Sequence, residues 1–218
     1  MRIKRVAFLC VVYLIFAPRS LAYGKNMSWG VKQQKQTVSL KLTMTVIEKQ
    51  YCKADSELDG LRMKLKLTFT NTGSQQIILY KGSNSVSRLI VTRNLRDSSA
   101  NKIEVNATLT QITAGKGINL KTHIPNQAFV ILPPGGSYEV EATVTVFAVR
   151  NDMREITGAV ASGEHALQIE VSTWPFSKSF AHKLRNRWQK SGTLWYEPIT
   201  SIQMPFTIEK QRQVVDCP

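Results

Sequence analysis

Apolar and polar residues alternate along most of this chain, and the alternation predicts strands. From Val38 the apolar positions Val38, Leu40, Leu42, Met44 and Val46 interleave with Ser39, Lys41, Thr43 and Thr45. A period of two puts one face in a core and the other in water. Leu61, Met63, Leu65, Leu67 and Phe69 repeat the pattern against Arg62, Lys64, Lys66 and Thr68, and Asn71-Thr72-Gly73 then supplies residues that tolerate a turn. Shorter runs follow at 77–80, 88–92 and 103–112. After Pro133-Pro134-Gly135-Gly136 come Tyr138, Val140, Ala142, Val144 and Val146, after Ser162-Gly163 come His165, Leu167, Ile169 and Val171, and the last run is Ile202, Met204, Phe206 and Ile208. About eight strands separated by turn signals, with no repeat or low-complexity linker, predict one all-β domain: an antiparallel β-sandwich, not a set of βαβ units.

One stretch breaks the period. Between Thr173 and Ser191 the residues Phe176, Phe180, Leu184 and Trp188 recur every four positions, which predicts a short amphipathic helix before the last hairpin. A strict period of four drifts by about 40° per step on a 3.6-residue helix, so the stripe slants. The same stretch carries Lys178, Lys183, Arg185, Arg187 and Lys190 and no acid. Two readings of it stand: a basic element, with Trp174 and Trp188, that docks on an anionic membrane, glycan or acidic partner, or a cap that buries its aromatics in the sandwich and leaves its cations solvated.

The first residues carry an address instead of a fold. Arg2, Lys4 and Arg5 precede an apolar run from Val6 to Phe16, and Ser20-Leu21-Ala22 supplies the small residues of a cleavage site, so residues 1–22 read as a signal peptide. The run is too short to span a bilayer, and no later stretch is apolar for long enough to anchor the mature chain. The expected location is periplasmic or extracellular, with a flexible stretch at 23–36 and one domain at 37–218. Cleavage removes four cations and no acid, leaving 25 cations against 15 acids and a net charge of +10. Such a charge is a matter of solubility and anionic partners, not of fold. Two cysteines, Cys52 and Cys217, remain, and an even count in an oxidising compartment predicts one disulfide closing a 165-residue loop.

The order Leu67-Thr68-Phe69-Thr70-Asn71-Thr72-Gly73, Arg88-Leu89-Ile90-Val91, Leu132-Pro133-Pro134-Gly135-Gly136-Ser137-Tyr138-Glu139, then Gly163 with Leu167-Gln168-Ile169-Glu170-Val171, resembles bacterial immunoglobulin-like domains of the proteinase-inhibitor type. Leu194-Trp195-Tyr196 through Ser201 to Pro205-Phe206-Thr207-Ile208 is similar to the final hairpin of secreted domains of that kind. The resemblance covers roughly 61–208 and departs from the pattern in inserts near 94–127 and 173–193. It implies an Ig-like topology in which the strand of Leu61 to Phe69 lies antiparallel to that of Tyr138 to Val146. Lys64 and Lys66 would then face Glu139 and Glu141. It carries over no inhibitory loop.

Catalytic chemistry is sparse. His123, His165 and His182 are far apart, no zinc-binding or paired-carboxylate motif appears, and Gly115-Lys116-Gly117 lacks the spacing of a phosphate loop. Neither a metal nor a cofactor is expected. The residues favour a non-enzymatic exported binding module that contacts a protein partner through its sandwich loops. The alternative is an adaptor recruited by charge, through 174–190, to an anionic envelope component such as a glycan, phosphate polymer or lipid surface. Export argues against nucleic acid, although Trp174, Trp188 and Trp195 could stack on bases.

Overall fold

The computed structural model describes residues 38–81, 85–92, 102–105, 122–150 and 156–217, and the chain there is almost wholly β. Strands β1 (Leu40–Lys53), β2 (Leu58–Asn71), β3 (Ile77–Tyr80), β4 (Ser85–Thr92) and β5 (Lys102–Val105) are followed by β6 (Phe129–Leu132), β7 (Ser137–Val149), β8 (Ala159–Val160) and β9 (Gly163–Ser172). Helix α1 (Lys178–Arg187) then precedes β10 (Thr193–Leu194), β11 (Ile199–Thr200), β12 (Met204–Ile208) and β13 (Val214–Val215). The signal peptide expected at 1–22, the stretch expected to be flexible at 23–36 and most of the insert expected near 94–127 lie outside the described residues.

One sheet has the order β13-β1-β2-β7-β8 and another the order β11-β9-β4-β5, with β12 also on β9. Their apolar positions share one core. Leu42 and Met44 of β1, the five alternating positions Leu61 to Phe69 of β2, and Val140 to Val146 of β7 meet Leu89 and Val91 of β4 and Leu167, Ile169 and Val171 of β9. The polar partners of the same alternation face outward. Lys64 pairs with Glu141 at 2.7 Å and Lys66 with Glu139 at 3.5 Å, so that basic stripe is answered by β7.

A third sheet, β10-β3-β6, explains a stretch that does not alternate. Ile77 and Leu79 join the main core, while Ile78 and Tyr80 join a second cluster with Phe129, Trp174, Ala181, Leu184, Trp188 and Leu194. A strand buried on both faces reads as a continuous apolar run, which is what Ile77-Ile78-Leu79-Tyr80 is.

The turn signals fasten onto one another. Asn71 is fully buried at the end of β2, and its side-chain amide donates to the carbonyls of Gln75 (2.7 Å) and Leu132 (2.9 Å). Its backbone exchanges hydrogen bonds with the Pro133–Gly136 turn, donating to Gly136 O and accepting from Gly135 N, both at 2.9 Å. Gly135 has φ +76°, and a Cβ on Gly136 would come within 2.7 Å of Pro133, so both glycines are required by this turn.

Three expectations change. The long pairs β1·β2, β2·β7 and β4·β9 are antiparallel, but β1·β13, β3·β10 and β7·β8 are parallel, so the sheets are mixed. The strand expected from Ile202 to Ile208 is broken. Ser201 is buried with its hydroxyl accepting from Ile169 N, Ile202 is turned out to 54% exposure, and its amide donates to Leu42 O at 3.3 Å, stitching one sheet to the other. Finally, β1 runs seven residues past Val46, because a bulge between Val46 and Glu48 inserts Ile47 and changes which residues face out.

The C-terminal segment closes over the end of the first sheet. Cys52 and Cys217 form a disulfide with their Cα atoms 5.3 Å apart. Arg212 and Arg150 both reach the buried carboxylate of Asp59, at 2.8 and 2.7 Å. The Arg212 guanidinium also donates to Val149 O and Glu209 O and lies 5.6 Å from the centre of the Tyr51 ring, whose hydroxyl accepts from Glu209 N. Burial pushes the Asp59 pKa up, but hydrogen bonds from Arg212 and Arg150 outweigh it and hold the carboxyl below its ordinary value.

Candidate functional site

Helix α1 starts where Ser177 can cap it: the Ser177 hydroxyl accepts from Phe180 N at 3.3 Å. It ends at Trp188, whose amide donates to Leu184 O. Ala181, Leu184 and Trp188 point into the second core cluster, with Trp188 edge-on to Phe129 at 4.9 Å between ring centres. Phe180 is half-buried and Phe176, which precedes the helix, is 41% exposed. The expected four-residue stripe is thus buried at Leu184 and Trp188 and more exposed at its N-terminal end, where Phe176 and Phe180 still pack edge-on to each other and against Trp174.

The predicted site residues separate into two groups. Trp174 and Trp188 are 6% and 1% exposed, and their indole N–H groups donate to the carbonyls of Ser177 (3.2 Å) and Thr122 (3.1 Å). They anchor the helix to the domain from beneath, and neither presents a ring face to a partner. Lys178, Lys183, Arg187 and Lys190 are exposed and Arg185 is half-exposed. At about 100° per residue, Lys183 and Arg187 fall on one flank, bordered by Phe180, and Lys190 follows in the turn beyond. Lys178 and Arg185 fall on the other, where Lys178 lies 3.7 Å from Glu197 and His182 packs on Tyr196.

This helix contains no acid, so its cations have no i,i+4 partners and repel one another mildly. Only Arg185 and Arg187, in the last turn, are favoured by the helix dipole. Among the described residues, Lys183, Arg187 and Lys190 have no ion-pair partner, which leaves two like charges on one flank of an anchored helix and a third in the turn beyond it. Ile131, 42% exposed, lies on the side of β6 that carries Phe129, the side that α1 covers.

A second feature escaped the sequence. On the outward face of the first sheet Glu48, Gln50, Arg62, Lys64 and Thr143 line a hollow of about 280 Å³. The bulge makes it, because without the extra Ile47 the alternation begun at Leu42 would point Glu48 inward. With it, Glu48 pairs with outward-facing Lys64, and Gln50 with Arg62. His123 is exposed, while His165 is buried with Nε2 2.8 Å from Ala161 O, and the described histidines do not converge. No group of three or more His, Cys, Asp or Glu side chains that could hold a metal ion occurs among the described residues, and no described helix is long and apolar enough to cross a membrane.

No family model matches this chain, and no curated protein does. Among solved structures it is similar to the X-ray structure of Northeast Structural Genomics Consortium target SoR45, at 15% identity and a TM-score of 0.29, over 78% of this chain and 83% of that one. A likeness so distant carries no argument about fold or function.

Proposed function

We propose that this protein is an exported, non-enzymatic binding module on an Ig-like sandwich, and that it docks on an anionic partner through Lys183, Arg187 and Lys190. The observation that carries the reading is the division within the segment 174–190: its indoles are buried as anchors, while these three cations stand exposed with no ion-pair partner among the described residues. An Ig-like topology is supported by the antiparallel β1-β2-β7 and β9-β4-β5 arrangements around one core. Export is supported by the N-terminal pattern and by the disulfide, a bond that persists in oxidising compartments.

Each cation near an anionic surface is worth about 1 kcal/mol, so three supply about 3 kcal/mol, or roughly a hundredfold in affinity. The test is binding of the mature protein to anionic glycan, teichoic-type phosphate polymer and anionic vesicles across a salt series, beside a Lys183→Gln, Arg187→Gln, Lys190→Gln variant. The expected result is binding that weakens with salt and is lost in the variant while its fold is unchanged. Equal binding by the two proteins refutes the reading. A protein partner is the second reading, favoured by the exposure of Phe176 and Ile131 beside the helix. An apolar interface of that kind keeps its affinity in high salt and loses it on Phe176→Ser.

A further inference from the structure

The hollow on the outward face of the first sheet is independent of α1 and is built from different chemistry. Its walls hold one carboxylate, one carboxamide, one guanidinium, one ammonium and one hydroxyl, from Glu48, Gln50, Arg62, Lys64 and Thr143. No apolar side chain lines it, so an apolar ligand has nothing to bury there. A polyanion is opposed by Glu48 and a polycation by Arg62. Lys64 is engaged with Glu141 at 2.7 Å and also feels the charge of Glu48 opposite it, but neither Glu48 nor Arg62 makes a hydrogen bond or a close ion pair among the described residues. One available charge of each sign, side by side, calls for a ligand carrying both.

The register gives the spacing. Glu48 lies directly opposite Lys64 and Gln50 opposite Arg62, which makes Glu48 and Arg62 diagonal neighbours across β1 and β2. Diagonal neighbours in an antiparallel pair stand about 7 Å apart. An extended chain spans about 3.5 Å per residue, so a two-residue peptide matches the spacing of these two positions. A hollow of about 280 Å³ has room for two small residues.

We propose that this hollow is a binding site for short zwitterionic peptides of about two residues, with the free carboxylate at Arg62 and the free ammonium at Glu48. Gln50, opposite Arg62 and two residues along β1 from Glu48, offers a donor and an acceptor to the peptide group. The inserted Ile47 is then the element that creates the site, since it brings Glu48 and Gln50 to the outward face beside Arg62. Bulges commonly re-aim side chains in this way at functional positions.

The test uses the mature full-length protein and three probes: Ala-Ala, N-acetyl-Ala-Ala and Ala-Ala amide, titrated by NMR shift perturbation. Each cap removes one ligand charge, and Glu48→Gln and Arg62→Gln each remove one protein charge at an exposed position where folding is not at stake. The wild type should bind Ala-Ala about tenfold more tightly than either capped form, a charge-assisted hydrogen bond being at stake in each case. Glu48→Gln should abolish only the penalty for acetylation, and Arg62→Gln only the penalty for amidation. The triple variant in α1 should bind Ala-Ala as the wild type does. The proposal is overturned if Ala-Ala produces no shift at millimolar concentration, if capped and free peptides bind equally, or if the caps and the two substitutions act independently.

Discussion

Arg212→Met is the substitution that most directly tests how the C-terminal segment is held. Asp59 and Arg212 have side chains only 3% and 5% exposed, and the guanidinium also serves Val149 O and Glu209 O. Removing one partner of a buried pair costs about 3–5 kcal/mol, because it leaves the other charge uncompensated. Arg150 still reaches Asp59 at 2.7 Å, so the lower end applies, about 3 kcal/mol. For a domain of this size each kcal/mol shifts Tm by about 2–4 °C, which gives a fall of about 6–12 °C. The assay is urea and thermal denaturation of the oxidised protein at neutral pH, with Asp59→Asn and the double variant alongside. If the loss in Arg212→Met comes from a stranded carboxylate, adding Asp59→Asn should restore part of it. A loss below about 1 kcal/mol, or a double variant less stable than Arg212→Met, would refute the argument. The pH dependence has a definite sign. The folded-state pKa of Asp59 is lowered, so its contribution is complete above the ordinary carboxylate value of about 3.9 and is lost as acid takes the pH below it. Asp59→Asn should flatten that part of the stability profile.

Four further outcomes follow from the fold. Cys217→Ser should cost about 2–5 kcal/mol by equilibrium denaturation, and reductant should lower the stability of the wild type by the same amount while leaving the variant unchanged. Gly192→Ala should destabilise the passage from α1 to β10 by about 1–3 kcal/mol, since Gly192 has φ +133° and a Cβ would come within 2.8 Å of Gln76 O. Gly158→Ala, at φ +80° with open space around it, should lower Tm by less. Asn71→Ala should cost about 2–4 kcal/mol in the same assay, because one buried and one partly buried carbonyl lose their donor and the turns it joins come apart.

Legibility in this sequence followed periodicity. β2, β7 and β9 bury one face and wet the other, so Leu61 to Phe69, Val140 to Val146 and Leu167 to Val171 could be placed in phase from the sequence, and the pairing of the charged stripes of β2 and β7 followed once the resemblance set the two strands side by side. The strands that escaped notice are those whose existence depends on a distant partner. β8, β10, β11 and β13 are two residues long, too short for any period to register, and three of them pair in parallel. β6 is buried at both ends and exposed in the middle, a pattern set by lying between two cores and not by its own sequence. Ile202 looked like a strand position by phase, but Ser201 satisfies the backbone of β9 and turns the chain outward there.

The same distinction separates the two candidate sites. α1 was visible because an acid-free basic segment with large apolar residues every four positions is unusual in composition, but which of them would be anchors depended on the third sheet beneath it. Trp174 and Trp188 went inside because that sheet presents Tyr80 and Phe129 to them, a surface that exists only after β3 has been buried on both faces. The hollow had no signature at all. Glu48, Gln50 and Arg62 are ordinary residues for strands, and read with unbroken alternation Glu48 and Gln50 belong to the inward face. A single inserted residue reverses that assignment for the rest of β1. It exchanges an impossible burial of Glu48 for a surface that sets a carboxylate beside a guanidinium, and it aligns Tyr51 and Cys52 with β13 for the closure that Arg212 and Cys217 complete.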